Sequence, residues 1–112
     1  MIVNEPAYGD ERAYNALRIA TALLNNPEVS MKVFLIGDGV VCAKKDHKVP
    51  SGFYDLNAML SSLIQKGVEV GLCGMCMDAR GLKDEELIEG AHRSSMKELS
   101  GWVLQADKVI NC

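Results

Sequence analysis

Apolar positions along the chain switch repeatedly between two periods, and the switches predict alternating strands and helices. Met1 to Asn4 reads as a short strand. Pro6-Ala7-Tyr8-Gly9 is a turn, after which Asp10 is placed to cap a helix. In that helix Ala13, Ala16, Leu17, Ala20, Leu23 and Leu24 share one face, with Arg12, Asn15, Arg18 and Asn25 opposite. Asn26-Pro27 ends it. Met31 to Ile36 is apolar apart from Lys32, as expected of a strand covered on both faces. Gly37-Asp38-Gly39 breaks the run and reads as a turn. A helical turn is predicted over Val40 to Lys45, and the polar stretch Lys44 to Gly52 reads as a mobile loop.

Leu56, Met59, Leu60, Leu63 and Ile64 then form an i, i+3, i+4, i+7, i+8 stripe, closed by Gly67. Val68 to Leu72 is the next strand and runs straight into Cys73. A short helix is predicted over Lys83 to Glu89 and a short strand over Ala91 to Arg93. Ser95-Met96-Lys97-Glu98 has capping-box spacing for a helix carrying Leu99, Trp102, Val103 and Ala106. Lys108 to Asn111 reads as a final strand. Such alternation implies right-handed βαβ units. The predicted fold is a single α/β domain over residues 1–112, a three-layer α/β/α sandwich that is flavodoxin-like in the broad sense. Its sheet is mostly parallel, with about five strands.

Composition narrows the function classes. The 112 residues are 48% hydrophobic and 24% charged, the balance of a soluble globular domain, and aromatics are only 5%. A net charge of −3 offers no electrostatic footprint for direct nucleic-acid binding. The longest apolar runs fall far short of the ~20 residues of a membrane span. Met1-Ile2-Val3-Asn4-Glu5 lacks the charged and apolar regions of an export signal, so a cytoplasmic location is expected. With four cysteines, a periodic core and no secretion pattern, reactive thiols or metal ligands are expected before a disulfide framework.

In open parallel sheets, reactive groups gather beyond the carboxyl ends of the strands. Three connections leave that edge: Glu5 to Gly9, Gly37 to Gly39, and Cys73 to Gly81. The third, Cys73-Gly74-Met75-Cys76-Met77-Asp78-Ala79-Arg80-Gly81, carries the chemistry. A thiol at a strand end, followed by a turn with free N–H groups, is placed to favour thiolate, and Arg80 adds a positive charge nearby. Thiolate attacks sulfane sulfur and disulfides, so the placement suits a persulfide acceptor. The competing reading makes both cysteines small apolar residues that plug a tight turn.

Structural zinc needs four ligands, and one Cys-x-x-Cys supplies two; Cys42, His47, His92 and Cys112 form no second pair. A thioredoxin-type dithiol lacks a proline in the later half of the chain for the usual cis-Pro. No cofactor or metal is therefore expected. Cys42 reads as a buried core thiol, Cys112 as a frayed terminus, and His47 and His92 as exposed or satisfied side chains. Gly37-Asp38-Gly39 lacks the G-x-G-x-x-G spacing of a dinucleotide loop. Ile19 and Trp102 lie at the margins of their stripes and are candidates to face another subunit.

Pro6-Ala7-Tyr8-Gly9 opening a helix, Val33 to Val40, Gly71-Leu72-Cys73 through Arg80-Gly81-Leu82, and Ala106-Asp107-Lys108-Val109 together resemble the DsrE/DsrF-like family, over nearly the whole chain. Within it the pattern is most similar to the small YchN-type members and to the TusD-type subunits of a relay that thiolates transfer RNA. The first strand is shorter than is usual in that family. The resemblance implies an α/β/α sandwich, a trimer or hexamer, and work in sulfur relay or sulfur oxidation with donor and acceptor proteins. It puts the sulfur-accepting role on Cys73; YchN-type members also carry a cysteine where Cys76 stands, and relay subunits do not. Cys76 is then a candidate to resolve the persulfide, with Arg80 stabilising the thiolate. The alternative is a non-catalytic oligomeric module whose small-ligand pocket is lined by Tyr8, Gly9, Asp38 and the cysteine loop.

Overall fold

A computed structural model describes residues 1–112. Four parallel strands, β1 (Ile2–Val3), β2 (Lys32–Leu35), β3 (Glu69–Cys73) and β4 (Ala91–Ser94), lie side by side in chain order. When every crossover is right-handed and steps in the same direction, the connecting helices must fall on one face. There α1 (Arg12–Leu23) packs against α2 (Leu56–Gln65). Their buried stripes, Ala13, Ala16, Leu17 and Ala20 on α1 and Leu56, Leu60 and Leu63 on α2, close over Val33, Leu35, Val70 and Leu72.

The other face carries only α4 (Met96–Gln105), which crosses from β4 back toward β1 and buries none of its own residues fully. Phe34 and Cys73 are the two buried apolar residues outside the main core. Strand alternation explains both: Phe34 and Gly71 point toward α4, where the Trp102 ring meets Phe34 edge-on at 6.1 Å, and Cys73 falls two residues beyond Gly71. Three layers are thus present, one of them a single helix thick.

Local chemistry sets the element ends. Asp10 accepts from the Arg12 N–H at 2.9 Å, and Asp55 caps α2 through the Ala58 N–H at 3.1 Å. Ser95 caps α4 through the Glu98 N–H at 3.3 Å. The second half of that capping box is not made, because the Glu98 carboxylate turns to Ser94 and His92 instead.

Four expectations need correction. The final strand reduces to one parallel bridge, Ile2 to Asn111, because β1 is two residues long and offers little backbone to pair. The sheet therefore has four strands, not five. Cys112 is not frayed: its N–H donates to the Ile2 carbonyl at 2.8 Å, and its carbonyl accepts from the Asn4 N–H at 2.9 Å. The helix predicted over Lys83 to Glu89 is a 3-10 turn at Asp84–Glu86. Leu87 and Ile88 are drawn into the core in extended form, with Leu87 bridging Lys44. The 44–52 stretch is anchored along its first half: Asn57 donates to the Cys42 and Lys44 carbonyls and accepts from the His47 N–H.

No helix is long and apolar enough to cross a membrane.

Candidate functional site: a dithiol at the end of strand β3

The cysteine segment is a helix rather than an open turn. Cys73 ends β3, and α3 (Gly74–Ala79) begins on the next residue. The turn from strand to helix is tight at Gly74, where a Cβ would stand 3.1 Å from both the Ser94 carbonyl oxygen and Arg93 Nη1. Cys73 is the N-cap, its Sγ accepting from the Cys76 N–H at 3.4 Å. Cys76, one turn on, presents its own sulfur to the Cys73 thiol and accepts from the Gly37 N–H at 3.2 Å. Both thiols are free.

Burial decides the protonation of Cys73. The residue is 6% exposed, and this desolvation, followed by the hydrogen bond to the Cys76 side chain, pushes its thiol up from the ordinary value. The N–H groups of Cys76 and Met75 oppose the shift without cancelling it. The expectation that the strand end favours thiolate is corrected accordingly: the donors are present, but burial outweighs them in this chain. Nor is Arg80 the counter-charge. Its guanidinium grips Asp38, with Nε at 2.9 Å and Nη2 at 2.7 Å, and its Nη1 donates to the Cys76 carbonyl at 3.0 Å.

The three strand-end connections do converge. Gly37 opens a 3-10 helix, Gly37–Ala43, that touches α3 through Cys76 and Arg80. In the same helix Cys42 is 1% exposed and donates to the Glu5 carbonyl at 3.6 Å; burial pushes its thiol up to about 12, as befits a core residue.

Tyr8 belongs to a different cluster. Its hydroxyl accepts from the Leu56 N–H at 3.2 Å and meets His47 Nδ1 at 2.9 Å, while its ring stacks on Tyr54. His47 Nε2 lies 3.0 Å from the Val41 carbonyl, which can only accept, so Nε2 carries the proton and Tyr8 donates to Nδ1. The Tyr8 backbone is held in the left-handed region at φ 66°, strained for a residue with a side chain. Burial raises the Tyr8 hydroxyl's pKa. Gly9 adjoins this cluster, while Asp38 is tied to Arg80, so the three suggested pocket residues are not drawn together. Two shallow surface depressions, one beside Lys83 and Arg93 and the other beside Glu98 and Trp102, are lined by none of them. No three metal-ligating side chains gather anywhere.

Sequence reasoning missed two residues beside the dithiol. Arg93 donates to the Gly74 carbonyl at 3.1 Å and pairs with Asp78 and Asp84, clamping the start of α3. Met75, between the cysteines, is 82% exposed. An arginine on a short strand carries no local signal of such a role, and the exposure of Met75 emerges only once the segment is helical.

The family model described as the DsrE/DsrF-like family matches residues 1–112. An uncharacterised protein of Methanocaldococcus jannaschii is 45% identical over 111 residues, 98% of this chain and 95% of its own. The crystal structure of the YchN protein from E. coli superposes with a TM-score of 0.90 at 35% identity, covering 99% of this chain and 96% of that one. The sulfurtransferase TusD of Salmonella typhi is 36% identical over 86 residues, 76% of this chain and 67% of its own.

Proposed function

The chain belongs to the DsrE/DsrF-like family, and from that premise we propose that it carries sulfane sulfur as a persulfide on Cys73 and passes it to a cysteine of a partner protein. One observation carries the reading: two free thiols stand one helical turn apart at the carboxyl end of a central strand, with a backbone N–H directed at each sulfur. The likeness to a sulfurtransferase over 76% of the chain supports it.

In the loading step Cys73 thiolate attacks the outer sulfur of a donor persulfide. A new S–S bond forms on Cys73, the donor's S–S bond breaks, and the donor leaves as thiolate. Sulfane sulfur moves between thiols with no net oxidation. Unloading to a partner repeats the exchange, the partner's thiolate attacking the outer sulfur and Cys73 leaving. With no acceptor present, Cys76 thiolate attacks the inner sulfur, forming the Cys73–Cys76 disulfide and releasing HS⁻; a dithiol reductant must then restore the pair. Burial of Cys73 keeps most of it protonated at neutral pH, so free protein loads slowly and faster as pH rises.

The working form is a homo-oligomer, a trimer or hexamer, in the reducing cytoplasm, exchanging sulfur with donor and acceptor proteins. The one-helix layer supports self-association: Met96, Val103, Leu104 and Val109 stand exposed on or beside α4, and Leu104 is 86% exposed. Cys73 lies on that same side of the sheet.

Intact mass after incubation with cysteine persulfide tests the reading. Gain of one sulfur atom, lost on reduction, is expected in Cys76→Ser and absent in Cys73→Ser, while wild type without an acceptor goes on to the Cys73–Cys76 disulfide and loses two hydrogens. No added sulfur in Cys76→Ser, or sulfur retained in Cys73→Ser, sinks it.

A further inference from the structure

Arg80 divides its contacts between Asp38, in the 3-10 helix, and the Cys76 carbonyl, in the helix that carries the second thiol. Two contacts join α3 to the 3-10 helix at Gly37, the Gly37 N–H to Cys76 Sγ at 3.2 Å and the Arg80 fork on Asp38, and within α3 Arg80 Nη1 holds the Cys76 carbonyl at 3.0 Å. Gly37 sits at φ 58°, the left-handed region. A Cβ there would meet nothing nearer than the Asn4 carbonyl oxygen at 3.9 Å, so the glycine is required by backbone direction rather than by space. That direction aims its N–H at the Cys76 sulfur. We infer that Asp38, Arg80 and the left-handed Gly37 form a pin that holds the Cys76 sulfur against Cys73, making Asp38 and Arg80 positioning residues for closure of the dithiol.

Forming the S–S bond needs the two sulfurs aligned within a narrow range, and prior alignment converts a search over rotamers into a single step. A six-residue helix has little stiffness of its own. Arg93 fixes its start through the Gly74 carbonyl and also reaches Asp78 near its end. Arg80 fixes its last turn, and through the Cys76 carbonyl it fixes the residue that bears the second sulfur. The planar guanidinium serves a carboxylate and a carbonyl together, whereas an ammonium in its place keeps the carboxylate alone and so does part of the work.

The inference rests on the reading of Cys73 and Cys76 as a working pair, and a small-molecule oxidant tests it without any persulfide. An aromatic disulfide such as dithiodipyridine reacts in two phases in a Cys112→Ser background. First a thiolate of the pair attacks it, giving a mixed disulfide and one aromatic thione. The second thiolate then attacks the protein sulfur of that mixed disulfide, closing Cys73–Cys76 and releasing a second thione. Each phase is read by the absorbance of the thione. Asp38→Asn and Arg80→Gln should leave the first phase within about twofold and slow the second about tenfold, the scale of lost prealignment. Arg80→Lys should recover part of the second-phase rate by keeping the charge on Asp38. Both residues are surface-facing, and circular dichroism confirms that each variant folds. A second phase as fast in Asp38→Asn and Arg80→Gln as in the parent overturns the pin. So does an Arg80→Lys variant as slow as Arg80→Gln. Failure of persulfide loading with these kinetics intact would reject the carrier reading and leave the pin standing.

Discussion

Trp102 fills the space that a side chain on Gly71 would occupy: a Cβ at 71 would stand 3.1 Å from Trp102 Cη2, with Ser94 Cβ at 3.2 Å and Glu98 Oε1 at 3.4 Å. This one vacancy lets α4 settle on the sheet, bringing the indole over Phe34 and the Glu98 carboxylate over β4. Glycine in a strand interior is otherwise unfavourable, so its presence here is a packing requirement.

Gly71→Ala therefore tests whether the close approach outweighs the backbone gain. Alanine would be favoured in a free strand by up to about 1 kcal/mol. Displacing a half-buried indole costs about 1–3 kcal/mol. Urea unfolding should show a lower midpoint with an unchanged slope. A raised midpoint would mean that α4 moves aside at little cost.

The carboxylate above that vacancy gives an acid-side prediction. Glu98 accepts from Ser94 at 2.6 Å and from His92, and these bonds hold its pKa below the usual 4.5, Ser94 first. A depressed folded value means stabilisation that is complete above about pH 4.5 and is lost as pH falls through the folded value. Glu98→Gln should flatten the stability profile below pH 4.5, measured by urea midpoints down to pH 3. A mutant profile parallel to wild type would show that other carboxylates carry the acid limb.

Cys42 gives the alkaline counterpart. Its thiol is raised by burial from 9.0 to about 12, so the folded chain keeps a proton that the unfolded chain releases. The contribution is fully present below pH 9 and is lost as pH rises toward 12, at about 1.4 kcal/mol per unit. Cys42→Ala should lose stability less steeply than wild type between pH 9 and 10.5. At neutral pH, iodoacetamide on the native protein should label the Cys73/Cys76 pair before Cys42, as read by peptide mapping. Cys42 labelling first would place the reactive thiol in the wrong helix.

Self-association is best probed away from the packed indole. Trp102→Glu would strip Phe34 of its cover as well as charge the surface, confusing fold with assembly. Leu104, at 86% exposure, contributes almost nothing to the monomer. Leu104→Glu should leave the monomer's urea midpoint within about 0.5 kcal/mol and break the oligomer in sedimentation equilibrium at micromolar concentration. A wild-type mass near 12.2 kDa would sink the homo-oligomer altogether.

Much of this molecule follows from sequence alone, for a local reason. Helices α1 and α2 are set by side chains three and four residues apart, and β2 and β3 by short apolar runs; neither signal needs a distant partner. The position of Cys73 at a strand end, and its nearness to Cys76 one helical turn on, come from the same local rules. What tertiary structure decided was every property that depends on a neighbour remote in sequence. Cys112 is ordered because Ile2 lies beside it, and the predicted fifth strand shrinks because β1 is only two residues long. Leu87 leaves its predicted helix because Lys44 and the core hold it extended. The sign of the Cys73 shift reversed because burial, which no spacing of residues reveals, outweighed the N–H groups that spacing does reveal. Arg80 is only seven residues from Cys73, yet its charge was claimed by Asp38, forty-two residues away, because the ends of β2 and β3 meet in space.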